Sequence, residues 1–319
     1  MKASLSGKQI RWLVIGVGDI AVKRVLPAIL AEPRSILEGV VTRSPEKAAS
    51  FQTRAWTSLD EALGHPGIDA VYVATPVAFH APQTITCLRA QKHVLCEKPM
   101  AMNYREACAM QEASKDVGKI LGIAYYRRLY PKLRRAAELL RGAIGQPVLA
   151  EINCHGWFQA QDGRRGWLLD PELSGGGPLY DIASHRIDVM NFLFDRPVRV
   201  SGHLSRSVHK KSAVEDSATV LIDYENGVRG VVDVRWHSHI DRDEFRIIGT
   251  DGEIRLSPLN GPGLRYPGGE DSMPLHANVH YPLIEDFVSA VTDNRPPACP
   301  AGDALWTDWV TEQVMAQNH

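Results

Sequence analysis

An excess of charge of either sign is missing from this sequence: 36 Lys and Arg are offset by 37 Asp and Glu, a formal net charge of -1. Nothing there attracts a polyanion, so neither nucleic acid nor an anionic membrane is expected as a partner. Cysteine is sparse as well. Cys87, Cys96, Cys108, Cys154 and Cys299 are odd in number, scattered, and without a Cys-x-x-Cys pair, which argues against a disulfide framework or a structural zinc site. No apolar run is long enough to span a bilayer. Residues 1–8 are polar and run straight into a strand, without the apolar stretch of a signal peptide. A reducing cytoplasm is the expected compartment. Internal repeats and low-complexity tails are also missing.

What remains is a chain of 319 residues, long enough for two cores. Over residues 1–124, short apolar runs alternate with helical segments, the pattern of a parallel sheet covered on both faces. Strands are predicted at 11–17, 36–42, 70–74, 93–96 and 119–124. Between them lie helices at about 20–31, 81–90 and 103–117, with short ones capped by Ser44, ahead of Pro45, and by the Ser58/Glu61 box. The alternation then stops. Residues 125–319 show strand-like alternation at 148–155, 198–205, 218–224, 228–237 and 245–248, with an Asn226-Gly227 hairpin turn. Helices are predicted at 133–140 and 180–194, and 257–273 reads as Gly/Pro-rich loop. Runs of strands with segregated helices predict an α+β second domain.

Gly16-Val17-Gly18-Asp19-Ile20-Ala21 follows the first strand and opens a helix. The first glycine permits a tight turn, the second lets the main chain approach a pyrophosphate, and Ala21 allows close helix–strand packing, while helix N–H groups favour the anion. Dinucleotide binding is the expectation. An acid at the end of the second strand would hold an NAD ribose, but Glu38 lies nearer the strand's beginning. The expected place holds Thr42-Arg43-Ser44, which could receive a 2′-phosphate, so NADP is favoured over NAD. Glu97-Lys98-Pro99 follows the strand ending at Cys96, at the carboxyl end where ligands bind in open sheets, and Pro99 disfavours helical geometry at Lys98.

With this motif the sequence resembles the glucose–fructose oxidoreductase/inositol dehydrogenase (Gfo/Idh/MocA) family. The resemblance spans nearly the whole chain: the glycine turn, Ala74-Thr75-Pro76 with His80, Glu97-Lys98-Pro99, and Ser174-Gly175-Gly176-Gly177 leading to Asp181 and His185. It implies an N-terminal Rossmann domain, doubly wound on a parallel sheet, and a C-terminal α+β domain on a large open, mainly antiparallel sheet. Homodimers or homotetramers through that sheet are implied too. By position it implies Lys98 as the catalytic lysine, with Asp181 and His185 as the aspartate and histidine of the second-domain helix. Family members often place a cofactor- or substrate-facing arginine at the domain junction, beside Tyr126. Arg127 is named for it, with Arg128 left open.

The residues agree with this. Asp181, His185 and Asp188 fall at i, i+4 and i+7 on one helix stripe, beside the apolar Ile182, Val189 and Leu193. Pro178 suits the first turn, and the three glycines would let the main chain come close to a ligand or the other domain. A histidine with a nearby carboxylate suits proton transfer near neutral pH, and an ammonium suits a developing alkoxide. Asp188 reads as structural. Trp157, Trp167, Arg164 and Arg165 either line a substrate cleft or serve packing and solvation. His237 and His239 share a strand face but show no third ligand, and no metal is expected. The function expected is an NAD(P)-dependent dehydrogenase or reductase acting on a CH-OH group of a sugar, cyclitol or related polyol. The alternatives are a glycoside hydrolase using bound NAD as a redox catalyst, and a non-catalytic NAD(P)-sensing protein.

Overall fold

The computed structural model describes residues 9–158 and 165–318. The chain divides into two compact units. One comprises Met1–Met100, Arg105–Tyr126 and His276–Gly302, the other Ala101–Tyr104, Arg127–Leu275 and Asp303–His319. The expected boundary after residue 124 is thus close to the crossing at Tyr126/Arg127, but the division is not one cut. Residues 276–302 return to the first unit, where Gly122 bridges Pro300 and Trp12 meets Phe287 at 5.4 Å between ring centroids. Local periodicity carries no trace of such a return.

The first unit holds β1 (Ile10–Ile15), β2 (Ser35–Val41), β3 (Arg54–Trp56), β4 (Ala70–Val73), β5 (His93–Cys96) and β6 (Leu121–Ile123). They form one sheet in the order β3-β2-β1-β4-β5-β6, every pair parallel. Strands covered on both faces need side chains that tolerate full burial, and all four residues of β4 are buried. The order reverses between β1 and β4, which opens a crevice at their carboxyl ends. The helix after β1 begins with a π-turn at Ala21–Val25 and continues as Leu26–Ala31. Ser58 caps the helix Leu59–Leu63, its hydroxyl accepting the Glu61 N–H at 3.4 Å. Ser44 does not cap its helix. Pro45 is the N-cap of Glu46–Ala49, and the Ser44 N–H instead donates to the Thr42 hydroxyl at 3.1 Å.

The second unit contains β7 (Pro147–Trp157), β8 (Pro197–Ser205), β9 (Ser217–Tyr224), β10 (Arg229–Arg235), β11 (His237–Gly249), β12 (Glu253–Arg255), β13 (Gly263–Tyr266) and β14 (Gly269–Ser272). Their order is β14-β13-β12-β11-β7-β10-β9-β8, antiparallel except where β7 meets β10. The segment 257–273 is therefore not all loop, since it contains the short pair β13 and β14. Asn226-Gly227 makes the expected turn, with Gly227 at φ +87° and the Asn226 side chain accepting the Val228 N–H at 3.1 Å. Burial alternates along β9 and β10. Val220, Ile222, Val232 and Val234 are buried, while Asp223, Arg229, Asp233 and Arg235 lie on the opposite, polar face.

The helix Ser184–Phe194, entered through a π-turn at Leu179–Ala183, covers the apolar face. A Cβ at Gly230 would meet the Met190 sulfur at 2.8 Å, which shows how closely helix and sheet pack. Asp188 is fully buried in this layer, and Arg128 clamps it from Nη2 at 2.7 Å and from Nε at 3.0 Å. Arg128 also reaches Asp303 at 3.1 Å. Among the described residues no helix is long and apolar enough to cross a membrane. Removing one partner of a buried pair leaves a charge without compensation, so Asp188→Ala should cost about 3–5 kcal/mol in denaturant titration. A loss under about 1 kcal/mol would mean the pair carries no structural load.

Candidate active site

The turn after β1 is shaped for a close main-chain approach. Gly16 has φ +91°, a region that disfavours side chains, and a Cβ there would lie 2.8 Å from the Ala74 carbonyl oxygen. Its N–H donates to the Val41 carbonyl at 2.9 Å, which puts the end of β2 beside the turn. Gly18 is the opposite case: a Cβ there would meet nothing within 4 Å. The space above Gly18 and the helix entry at Ile20-Ala21 fit a pyrophosphate resting on main chain. Asp19 pairs with Lys23 at 2.9 Å on the exposed side of the helix. Arg43 is exposed at the end of β2. Glu38 is engaged elsewhere, 3.6 Å from Arg11 and 3.9 Å from His65.

Two further turns line the same edge of the sheet. Ala74-Thr75-Pro76 follows β4, and Glu97-Lys98-Pro99 follows β5. His80 ties them together, because its Nδ1 lies 2.9 Å from the Pro99 carbonyl and its Nε2 lies 2.8 Å from the Thr75 carbonyl. Burial pushes its pKa down against both carbonyls, so a neutral ring donates to one at a time. The Lys98–Pro99 peptide is cis. Glu97 is buried, and its Oε2 accepts the Lys98 N–H at 3.2 Å.

In the second unit the glycine run serves packing. A Cβ at Gly175 or Gly176 would strike the Tyr180 ring, and one at Gly177 would strike the Glu215 main chain. The glycines make room within their own unit. Glu215, which local patterns did not single out, is buried with Oε1 accepting the Leu179 N–H at 3.0 Å. It thereby satisfies the entry of the helix that carries Asp181 and His185.

The stripe of three expected on that helix divides. Asp188 goes to Arg128, while Asp181 meets the Arg165 guanidinium at 2.9 Å, and His185 is buried between them in sequence. Arg165 lies over the Phe158 ring at 5.0 Å. Arg164 lies outside the described residues. Trp167 is partly buried and packs, as does Ile182, against the cluster of Leu168, Val214 and Trp236. Trp157 is 40% exposed and stacks on His239 at 3.9 Å. Arg127 is buried with Nε donating to Asn260 at 3.2 Å, and the Tyr126 and His280 rings meet at a tilt of 39° with centroids 4.9 Å apart. With Arg128 committed to Asp188, Arg127 remains the junction arginine to consider.

Two family descriptions match successive stretches of the chain. Residues 10–125 match an oxidoreductase family with an NAD-binding Rossmann fold, and residues 133–255 match the GFO/IDH/MocA C-terminal domain. The chain belongs to the Gfo/Idh/MocA oxidoreductase family. Among its relatives, the 1,5-anhydro-D-fructose reductase of Ensifer adhaerens is 30% identical over 93% of this chain and 92% of its own. The NADP(+)-dependent scyllo-inositol 2-dehydrogenase of Bacillus subtilis is 29% identical over 90% and 89%. A crystal structure of aldose-aldose oxidoreductase from Caulobacter crescentus, complexed with glycerol, superposes with TM-score 0.87 at 24% identity, covering 97% of both chains. That likeness establishes the fold. Membership makes this chain an NAD(P)-dependent enzyme of the dehydrogenase and reductase type.

Burial raises the Glu215 carboxyl above the ordinary glutamate value, against the N–H groups of Gly177 and Leu179 that favour its charge. A raised folded-state value means the native protein holds a proton that the unfolded chain releases. Stability is therefore lost as pH rises above the unfolded value of about 4.3. Glu215→Gln keeps an acceptor for Leu179 without the buried charge. Its stability relative to wild type should increase between about pH 4.5 and pH 7 in urea titrations; a constant difference would refute the assignment.

Proposed function

We propose that the enzyme transfers a hydride between NADP(H) and the hydroxyl-bearing carbon of a sugar, cyclitol or related polyol. The observation that carries this reading is the position of Lys98. It directly follows β5, on the carboxyl edge of the sheet where the Gly16–Ala21 turn also lies, the edge at which open sheets bind ligands. The names of the relatives, which include reductases and dehydrogenases of anhydro sugars and cyclitols, support the substrate class.

The bound nicotinamide supplies the hydride acceptor or donor. The chain's own residues do the rest. His185 takes the hydroxyl proton as hydride departs, and returns it in the reductive direction. The Lys98 ammonium stabilises the alkoxide that develops on the same oxygen. Asp181, with Arg165 against it, orients the imidazole or binds a neighbouring hydroxyl. Ala74, Thr75, Pro76 and Glu97 border the nicotinamide half of the cofactor, with His80 fixing their turns. Gly16, Gly18, Asp19, Ile20 and Ala21 hold the pyrophosphate. Thr42, Arg43 and Ser44 receive the 2′-phosphate. Tyr126, Arg127, Trp157, Arg164 and Trp167 are the remaining members proposed for the substrate or cofactor surroundings. Assembly as a dimer or tetramer through the open face of the eight-stranded sheet and a cytoplasmic location complete the proposal.

Replacing Lys98 by Met or His185 by Gln should lower the rate of hydride transfer about 10²–10⁴-fold while leaving dinucleotide affinity intact. Turnover against a panel of sugars and polyols, with fluorescence titration of the cofactor, reads both quantities; wild-type rates in either variant would end the mechanism. Arg43→Ala should weaken NADP(H) and spare NAD(H). Equal losses for the two cofactors would reduce Arg43 to a support of the loop.

A further inference from the structure

His280 has no place in the machinery proposed above, yet it is 1% exposed and polar. It stands at the N-cap of the helix Tyr281–Asp293, in the segment that returns to the first unit. That segment is latched to the helix after the phosphate turn. Asn278 donates to the Arg24 carbonyl at 2.8 Å, and Arg24 donates to the Ala277 carbonyl at 3.2 Å. Asn278 also accepts the His280 N–H at 3.1 Å. The latch brings the imidazole against Glu97, with Nε2 lying 3.3 Å from Oε1. The Tyr72 hydroxyl donates to the same oxygen at 2.7 Å, while Oε2 holds the Lys98 N–H.

We infer that His280 is a positioning residue for the reaction: with Tyr72 it keeps the Glu97 carboxylate charged and fixed, and that carboxylate anchors the main chain of Lys98. This rests on the reading of Lys98 as the group that stabilises the alkoxide. The physical demand is plain. A carboxylate in an apolar interior protonates unless donors compensate its lost hydration. A carboxylate acceptor selects the tautomer with the proton on Nε2. Burial pushes the Glu97 carboxyl up. The His280 hydrogen bond and charge, then the Tyr72 hydrogen bond and the Lys98 charge, outweigh it and hold the group below the ordinary value. Facing this cluster are Tyr72 and Cys96 from the sheet, Lys98 and His80 from the neighbouring turn and helix, and Tyr126, whose ring lies tilted against His280.

Without His280 the burial contribution weighs more, Glu97 takes up a proton at a higher pH than in wild type, and Lys98 then loses a fixed anchor and a nearby negative charge. His280→Phe keeps a ring against Tyr126 and removes the donor. His280→Gln supplies an amide N–H near the position of Nε2. Tyr72→Phe removes the other donor and serves as the second variant. Two readouts decide. In pH-difference infrared spectra of the whole protein, His280→Phe should show a protonated-carboxyl band that titrates at a higher pH than in wild type and is abolished by adding Glu97→Gln. In turnover of the sugar found by the panel, the acidic limb of the His280→Phe profile should be displaced to higher pH than in wild type, with a loss of roughly tenfold per pH unit below it, as one protonating group requires. His280→Gln should restore most of the wild-type profile, and cofactor affinity should stay unchanged. In a Lys98→Met background the His280→Phe effect should vanish, because both act through one group.

The inference is overturned if neither His280→Phe nor Tyr72→Phe displaces the band or the acidic limb to higher pH. It is overturned equally if His280→Gln and His280→Phe lose the same activity at every pH, which is a packing defect. If Lys98→Met alone keeps the wild-type rate while the infrared band is still displaced, the catalytic reading of Lys98 has failed and the Glu97–His280 pairing has not.

Discussion

A carboxylate withdrawn from water has to be given hydrogen-bond donors, and that demand is met in each of the two units. In the first unit Glu97 takes the N–H of Lys98 on one oxygen and Tyr72 and His280 on the other. In the second, Glu215 takes the N–H of Leu179 where the helix of Asp181 and His185 begins, and Asp188 takes the Arg128 fork further along the same helix. Glu97 and Glu215 fix main chain, and Asp188 fixes the Arg128 side chain. A side chain that must meet a substrate oxygen benefits most from that, since small errors of placement cost rate steeply.

The parallel sheet was legible because its strands are short apolar runs bounded by turn chemistry. Residues 93–96 were read with their observed ends, and the Ser58/Glu61 and Asn226-Gly227 signals act as their chemistry dictates. What escaped had no local signature. Three-residue β3 is mostly exposed, so it has neither an apolar run nor a period. Strands β13 and β14 sit in Gly- and Pro-rich sequence that reads as loop. In β11 the exposed stretch from His239 to Arg242 coincides with a register shift, which hides the alternation on which a thirteen-residue strand would be recognised.

The site divides along the same line. Gly16, Lys98, Asp181 and His185 were visible because motifs concentrate them in a few positions. Glu215 and His280 were invisible because their partners are 36 and 183 residues away. The glycine run shows a subtler limit. Its need for small residues was evident, but the reason, the Tyr180 ring and the Glu215 main chain, lies in packing that sequence spacing does not encode.

The central claim is direct hydride transfer to a carbon whose oxygen is held by protein groups. Incubating the enzyme with NADPH deuterated on the transferring face of the nicotinamide, together with the keto or aldehydo form of a sugar it turns over, tests this most directly. The account predicts deuterium on the newly formed carbinol carbon, one per cofactor oxidised. Deuterium released to water, or product formed with no net consumption of cofactor, would contradict it.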